Sequence, residues 1–125
     1  MDIVELTIWR EARGEGEPGM HAVYHVISNR AAAGRSWPAY PERVCLQAHQ
    51  FSCWNSSDPQ RDLYPKMGDN AYALAATICL QPGTDPTGGA TAYYDTSIPA
   101  PSWATPENFT VQIGKVRFHR VQKGV

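Results

Sequence analysis

The chain has 125 residues, 42% of them hydrophobic and 18% charged, with a formal net charge of -1. That length suits one compact domain able to bury a core without disulfide or metal staples. Lys plus Arg number 11 against 12 Asp plus Glu; with no block of like charge, duplex nucleic acid and anionic membranes are excluded as main partners, because each calls for a concentrated basic face. Ten glycines and ten prolines indicate a loop-rich fold rather than a helical bundle.

In chain order, Ile3, Val4, Leu6, Ile8 and Trp9 predict a short, well-buried helix running to Ala12 or Arg13 and stopped by Gly14. At 100° per residue Glu11 falls about 20° from Val4, so a carboxylate continues the Val4/Ile8 apolar stripe near the helix end. Glu15 to Gly19 reads as a loop, with Pro18 as the first residue of the next helix. Met20, Val23, Ile27 and Ala31 mark that helix from about Gly19 to Ala33, with Gly34 as its cap. Ser36 to Pro41 reads as loop, followed by a helical turn from Glu42 to Gln47. The alternation in Gln50-Phe51-Ser52-Cys53-Trp54 predicts a short strand or extended segment, and Asn55 to Pro65 a surface loop. Ala71, Leu74, Ala75 and Ile78 form another helical stripe, capped by Asp69 or Asn70 and ended by Gln81-Pro82-Gly83. Asp85-Pro86-Thr87-Gly88-Gly89 is a turn; Ala90 to Tyr94, Thr110 to Ile113 and Val116 to Phe118 read as strands, the last two around Gly114. Helices first and short strands later make an α+β domain.

Cys45, Cys53 and Cys79 sit in mostly apolar surroundings and are read as reduced core thiols, with one disulfide or a zinc site as alternatives. No apolar run reaches the roughly 18 residues of a membrane span, so no membrane insertion is expected, and the first residues lack the features of an export signal.

The densest ionisable cluster is Arg10-Glu11-Ala12-Arg13-Gly14-Glu15-Gly16-Glu17. One reading is a solvated helix end with charge pairing one turn apart. The other is a glycosidase acid: splitting a glycosidic bond requires protonation of a poor leaving oxygen by a carboxyl in a sheltered setting. Glu11, on an apolar stripe beside a glycine-bearing loop, meets that requirement, and Glu15 is the competing carboxylate.

Trp9-Arg10-Glu11-Ala12-Arg13-Gly14-Glu15, Ala22 through Asn29-Arg30, Gln50-Phe51-Ser52, Asp85 through Ala90 and Ile113-Gly114 through Phe118, in that order and spacing, resemble the SleB-type cell-wall hydrolases, a family that includes spore-cortex-lytic enzymes and phage endolysins. The resemblance implies a lysozyme-like, lytic transglycosylase-like domain over residues 1–125, with bacterial peptidoglycan glycan strands as partner and Glu11 as general acid and base. It departs from the family at Ala92, where a His is usual, at Asp95, where an Asn is usual, and at Val116 and His119 in the last strand.

With one well-placed carboxylate, lytic transglycosylation between N-acetylmuramic acid and N-acetylglucosamine is the simpler mechanism. Hydrolysis with Asp95 or Glu15 holding a water is the alternative. A wall-binding module without turnover is the rival from another class. Tyr93 and Tyr94 alternate across their strand, so one faces the groove and the other packs inside. Gln50 and Ser52 are candidate contacts to sugar hydroxyls or acetamides, Asp95 is a further candidate contact, and Trp54 and Trp103 are candidate sugar platforms or core covers. Thr87, Gly88 and Gly89 are read as shaping their turn. His21 and His25 lack the pattern of a metal site, and no cofactor is expected. His49 near Cys53 raises a cysteine-peptidase alternative, for which an extended segment supplies no helix terminus to activate the thiol. A reduced, near-neutral chain of this kind is expected to act as a monomer. It would reside in the producing cell's cytoplasm until a phage holin releases it to the wall in the periplasm.

Overall fold

The structure, a computed structural model, describes residues 2–34, 37–47 and 50–122. Among them four α-helices precede a small antiparallel sheet. Helix α1 (Ile3–Ala12) opens on Asp2, whose carboxylate accepts from the amides of Val4 and Glu5 at 2.8 and 3.0 Å, satisfying two orphan donors of the first turn. A 3₁₀ turn, Arg13–Glu15, leads into α2 (Gly16–Ala33), which ends on Gly34 in the left-handed conformation at φ 64°. Helix α2 therefore starts earlier than the sequence pattern indicates: Pro18 is the third helical residue, a position whose missing N–H costs nothing because the first four amides have no intrahelical partner.

Helix α3 (Pro41–Leu46) is short, and α4 (Asn70–Leu80) is capped by Asp69, which accepts from Tyr72 N at 2.9 Å. The indole of Trp9 also donates to Asp69, at 3.2 Å, tying α1 to the start of α4. Residues 50–54 do not form the expected strand. Ser52–Trp54 is a 3₁₀ turn closed by bonds from Trp54 N to Phe51 O and from Asn55 N to Ser52 O, and it buries Phe51 and Cys53 while exposing Ser52. The period-2 burial that suggested a strand is met here by a tight turn instead. The loop from Asn55 to Pro65 likewise holds a 3₁₀ turn, Pro59–Asp62.

Strands β1 (Ala92–Asp95), β2 (Phe109–Ile113) and β3 (Val116–His119) pair antiparallel in the order β1-β3-β2. Tyr93 stands opposite Phe118 and Asp95 opposite Val116, so these four share the face that packs on Ala22 and Val26 of α2. Tyr94, opposite Arg117, lies on the other face with His119. A second cluster, including Val4, Ile8, Met20, Val23, Ile27, Val44, Phe51, Cys53 and Ile78, fills the space between the helices. No helix of the described residues is long and apolar enough to cross a membrane.

The first strand is positioned from α2. Asn29 donates to Ala90 O at 2.8 Å and to Asp85 at 3.0 Å, and buried Arg30 donates to Thr91 O at 2.5 Å. Asp85 also accepts from the hydroxyl and amide of Thr87 and from Gly89 N, which closes the turn that feeds β1. Gly89 holds φ 84°, a conformation L side chains rarely adopt, so a substitution there would be strained.

Candidate active site

Glu11 sits where the end of α1, the Ser52–Trp54 turn and β1 meet. Its Oε1 accepts from the Tyr93 hydroxyl at 3.0 Å and its Oε2 from the Cys53 backbone amide at 3.1 Å. Both carboxylate oxygens are thus held by donors from other elements, and the side chain keeps partial exposure. Burial, reinforced by the nearby Glu11 carboxylate, pushes the Tyr93 phenol well above its ordinary value, so it remains a hydrogen-bond donor through any ordinary pH range.

The competing carboxylates occupy a different station. Lys115, on the β2–β3 turn, places its ammonium 3.8 Å from Glu15 and 3.4 Å from Asp95. Asp95 also accepts from Ser97 N at 2.8 Å; that backbone bond, with Lys115 assisting, holds its carboxyl below the ordinary range. Glu15 is fixed from behind by Gly19, where even a Cβ would lie 2.3 Å from its own Cβ.

The remaining candidates are distributed around this centre rather than collected on it. Gln50 turns its carbonyl oxygen to Arg30 at 3.3 Å, and that guanidinium lies over the Trp37 and Phe51 rings. Ser52 is exposed beside Cys53. Trp54 donates to Thr7 Oγ1 at 2.8 Å and carries the Arg10 guanidinium 4.6 Å from its ring. Tyr94 packs with Trp103 and His119 on the far face of the sheet, away from Tyr93. A cavity of about 430 Å³ there is lined by Tyr94, Phe109, Arg117 and His119, and another of about 400 Å³ lies between the end of α2, Trp37 and Arg120; Glu11 lines neither.

Cys45, Cys53 and Cys79 are free thiols. Burial pushes Cys45 and Cys79 up to about 12 and Cys53 upward as well, with Glu11 adding to the effect at Cys53. A nucleophilic thiolate is thereby disfavoured. The His partner considered for it, His49, lies outside the described residues. His21 and His25 both turn Nε2 to the Pro82 carbonyl, tying α2 to the end of α4, and no group of three metal-ligating side chains is found among the described residues.

Three contributors escaped the sequence reading. A backbone amide such as that of Cys53 carries no residue-type signal at all. Lys115 is one surface lysine after a turn glycine, and its role depends on strand register. Arg10 did leave a trace, as a charged residue between Trp9 and Glu11 in a largely apolar helix.

A family model described as cell wall hydrolase matches residues 14–119. The chain belongs to the cell wall hydrolase family. Two solved structures place this hydrolase in the SleB type. The catalytic domain of the germination-specific lytic transglycosylase SleB from Bacillus anthracis is 27% identical with a TM-score of 0.73, over 94% of this chain and 91% of that one. The catalytic domain of the Bacillus cereus SleB protein gives the same identity and TM-score, over 94% and 87%. No curated protein sequence matches the hydrolase. The family match takes in Glu15, Gln50 and Tyr93 and begins three residues after Glu11, so the case for Glu11 as a candidate rests on its geometry.

Proposed function

We propose that this hydrolase cleaves the glycan strand of bacterial peptidoglycan between N-acetylmuramic acid and N-acetylglucosamine, with residues 1–125 acting as one catalytic domain and Glu11 as general acid and base. The observation that carries the reading is the carboxylate of Glu11, held by Tyr93 and Cys53 N while Glu15 and Asp95 share Lys115. One carboxyl without a free partner suits lytic transglycosylation. Glu11 gives its proton to the leaving glycosidic oxygen as the C1–O bond breaks. The resulting carboxylate then takes the proton of the muramyl C6 hydroxyl while that oxygen bonds to C1, closing a 1,6-anhydro ring. No water is consumed and Glu11 ends protonated, ready for the next bond. The Tyr93 hydroxyl and Cys53 amide stabilise the carboxylate half of this cycle.

The similarity to a lytic transglycosylase of Bacillus anthracis supports the same choice. Mass spectrometry of soluble fragments released from purified sacculi tests it. Anhydro-muramyl ends are expected; reducing ends would establish hydrolysis, with Asp95 or Glu15 recruited to a water, and free peptides or no release would overturn glycan cleavage. Free thiols and near-neutral charge fit a monomeric endolysin held in the producing cell until a holin admits it to the wall. A gene outside any phage lysis module, or a dimer in sedimentation, would count against that part.

A further inference from the structure

Two consecutive residues of α1 meet two consecutive residues of the 52–54 turn: Glu11 contacts Cys53, and Arg10 contacts Trp54. Arg10 is 4% exposed, and its Nε donates to Leu63 O at 3.0 Å. Among the described residues its buried Nη1 and Nη2 have no hydrogen-bond partner, and no carboxylate lies within ion-pairing distance of it. Trp54, anchored on Thr7, flanks the guanidinium at 4.6 Å, and Tyr64 flanks it at 5.0 Å. Aromatic faces attract a cation but do not satisfy its N–H donors, and a buried guanidinium with a free fork is costly. A second guanidinium, Arg61, is held on Trp54 O at 2.7 Å.

The cover over this fork is slight. Tyr64 is 61% exposed in an irregular stretch, and its contact with Arg10 is a ring face rather than a hydrogen bond. A turn about its side-chain bonds would uncover two parallel donors one residue from the acid. A planar pair of N–H groups fits a carboxylate bidentately. Resting on the glycan-cleaving reading above, we propose that Arg10, uncovered by Tyr64, receives a carboxylate of the peptide stem carried by the muramyl sugar.

The test compares kcat/KM on peptidoglycan strands bearing stems with that on strands stripped of them by an amidase, the lactyl carboxylates so freed being capped as amides. Wild type is expected to prefer stem-bearing strands by about tenfold or more, the worth of a charge-assisted bond. R10Q should abolish that ratio and R10K should restore only part of it, with thermal melts confirming that each variant is folded. Y64A, at an exposed position, should lower KM for stem-bearing strands by removing the cover. Without catalysis, the Nε–Hε resonance of Arg10 should shift on titration with muramyl dipeptide and not with N-acetylglucosamine oligomers. A wild type without preference, an R10Q with the wild-type ratio, a raised KM in Y64A or a silent Arg10 resonance would each overturn the assignment. Cleavage of neither strand type by wild type would instead overturn the glycan-cleaving reading, and a shift with muramyl dipeptide would still support the carboxylate site.

Discussion

Replacing Glu11 by Gln separates the chemistry of the site from its architecture. In the wild-type protein Oε1 accepts from Tyr93 and Oε2 from Cys53 N. A backbone amide can only donate, so the Gln carbonyl must face Cys53 and its NH₂ must face Tyr93. The phenol hydroxyl can rotate to accept. Both contacts survive in form, converted from charge-assisted to neutral bonds, which costs about 1 kcal/mol in total, or roughly 4 °C in Tm for a domain of this size. What is lost is the transferable proton. Removing general acid–base catalysis slows the reaction by about 10² to 10⁴-fold.

Lysis of purified sacculi, followed by turbidity and by released muropeptides, reads the rate, and a circular-dichroism melt reads the fold. Glu15→Gln is the matched comparison, because Glu15 loses an ion pair to exposed Lys115 that contributes little; its rate should stay within about threefold of wild type on that reasoning. A folded E11Q within tenfold of wild type, or an E15Q slowed as much as E11Q, would refute the assignment of the acid.

Tyr93→Phe removes one of the two donors on Glu11 and should lower kcat by about 10- to 100-fold, the worth of a hydrogen bond to a charged group, measurable on the same sacculi. Gly19→Ala should invert the usual gain of a helical Gly→Ala change: its Cβ would lie 2.3 Å from that of Glu15, an overlap worth about 1–3 kcal/mol, seen as a lower Tm. For Asp85, burial alone would raise the pKa, but bonds from Thr87, Asn29 and Gly89 outweigh it and lower it. Its stabilisation is therefore full above the ordinary carboxylate value near 4 and is lost as pH falls through the lower folded value. Asp85→Asn should flatten the decline of Tm between about pH 4 and pH 2, and an unchanged acid limb would contradict this. Cys45 and Cys79, pushed up to about 12, and Cys53, raised as well, should resist iodoacetamide at pH 8 with activity intact. Rapid alkylation of Cys53 with loss of lysis would revive the peptidase alternative.

Local features were the most legible from sequence. The Met20, Val23, Ile27 stripe faces the helical core and Gly34 takes the left-handed cap, because both depend on residues within a few turns of each other. The Asp69 cap follows for the same reason. The start of α2 was misplaced because proline tolerates any position in the first turn, so Pro18 fixed the end only to within a turn. Phe51 and Cys53 misled because burial of every second residue does not distinguish a strand from a 3₁₀ turn. At the site, Glu11 could be singled out from its own helix, but its partner Tyr93 is 82 residues away. Only strand register decides that Tyr93, not Tyr94, shares its face. The pairing of Glu15 and Asp95 through Lys115 needs the same register and was equally out of reach.

The location of Glu11, the proposed acid, follows from how the two cores share α2. One side of that helix, with Met20, Val23 and Ile27, closes the helical core that also holds Val4 and Ile8 of α1. Another side, with Ala22 and Val26, closes the sheet core around Phe118. Glu11 belongs to an element of the first cluster and Tyr93 to an element of the second, and the Tyr93 ring packs against both. The 3.0 Å bond between them therefore spans the seam. Its length is set jointly by α1 on α2 and by the Asn29 and Arg30 bonds that fix where β1 begins. Because near-attack geometry is sensitive to displacements of about 1 Å, slackening in either core moves the acid relative to its donor without touching the site itself. This gives a physical reason for the Asn29-Arg30 pair, which contacts neither Glu11 nor Tyr93 in the hydrogen-bond network, to stand among the segments by which the chain resembles its family.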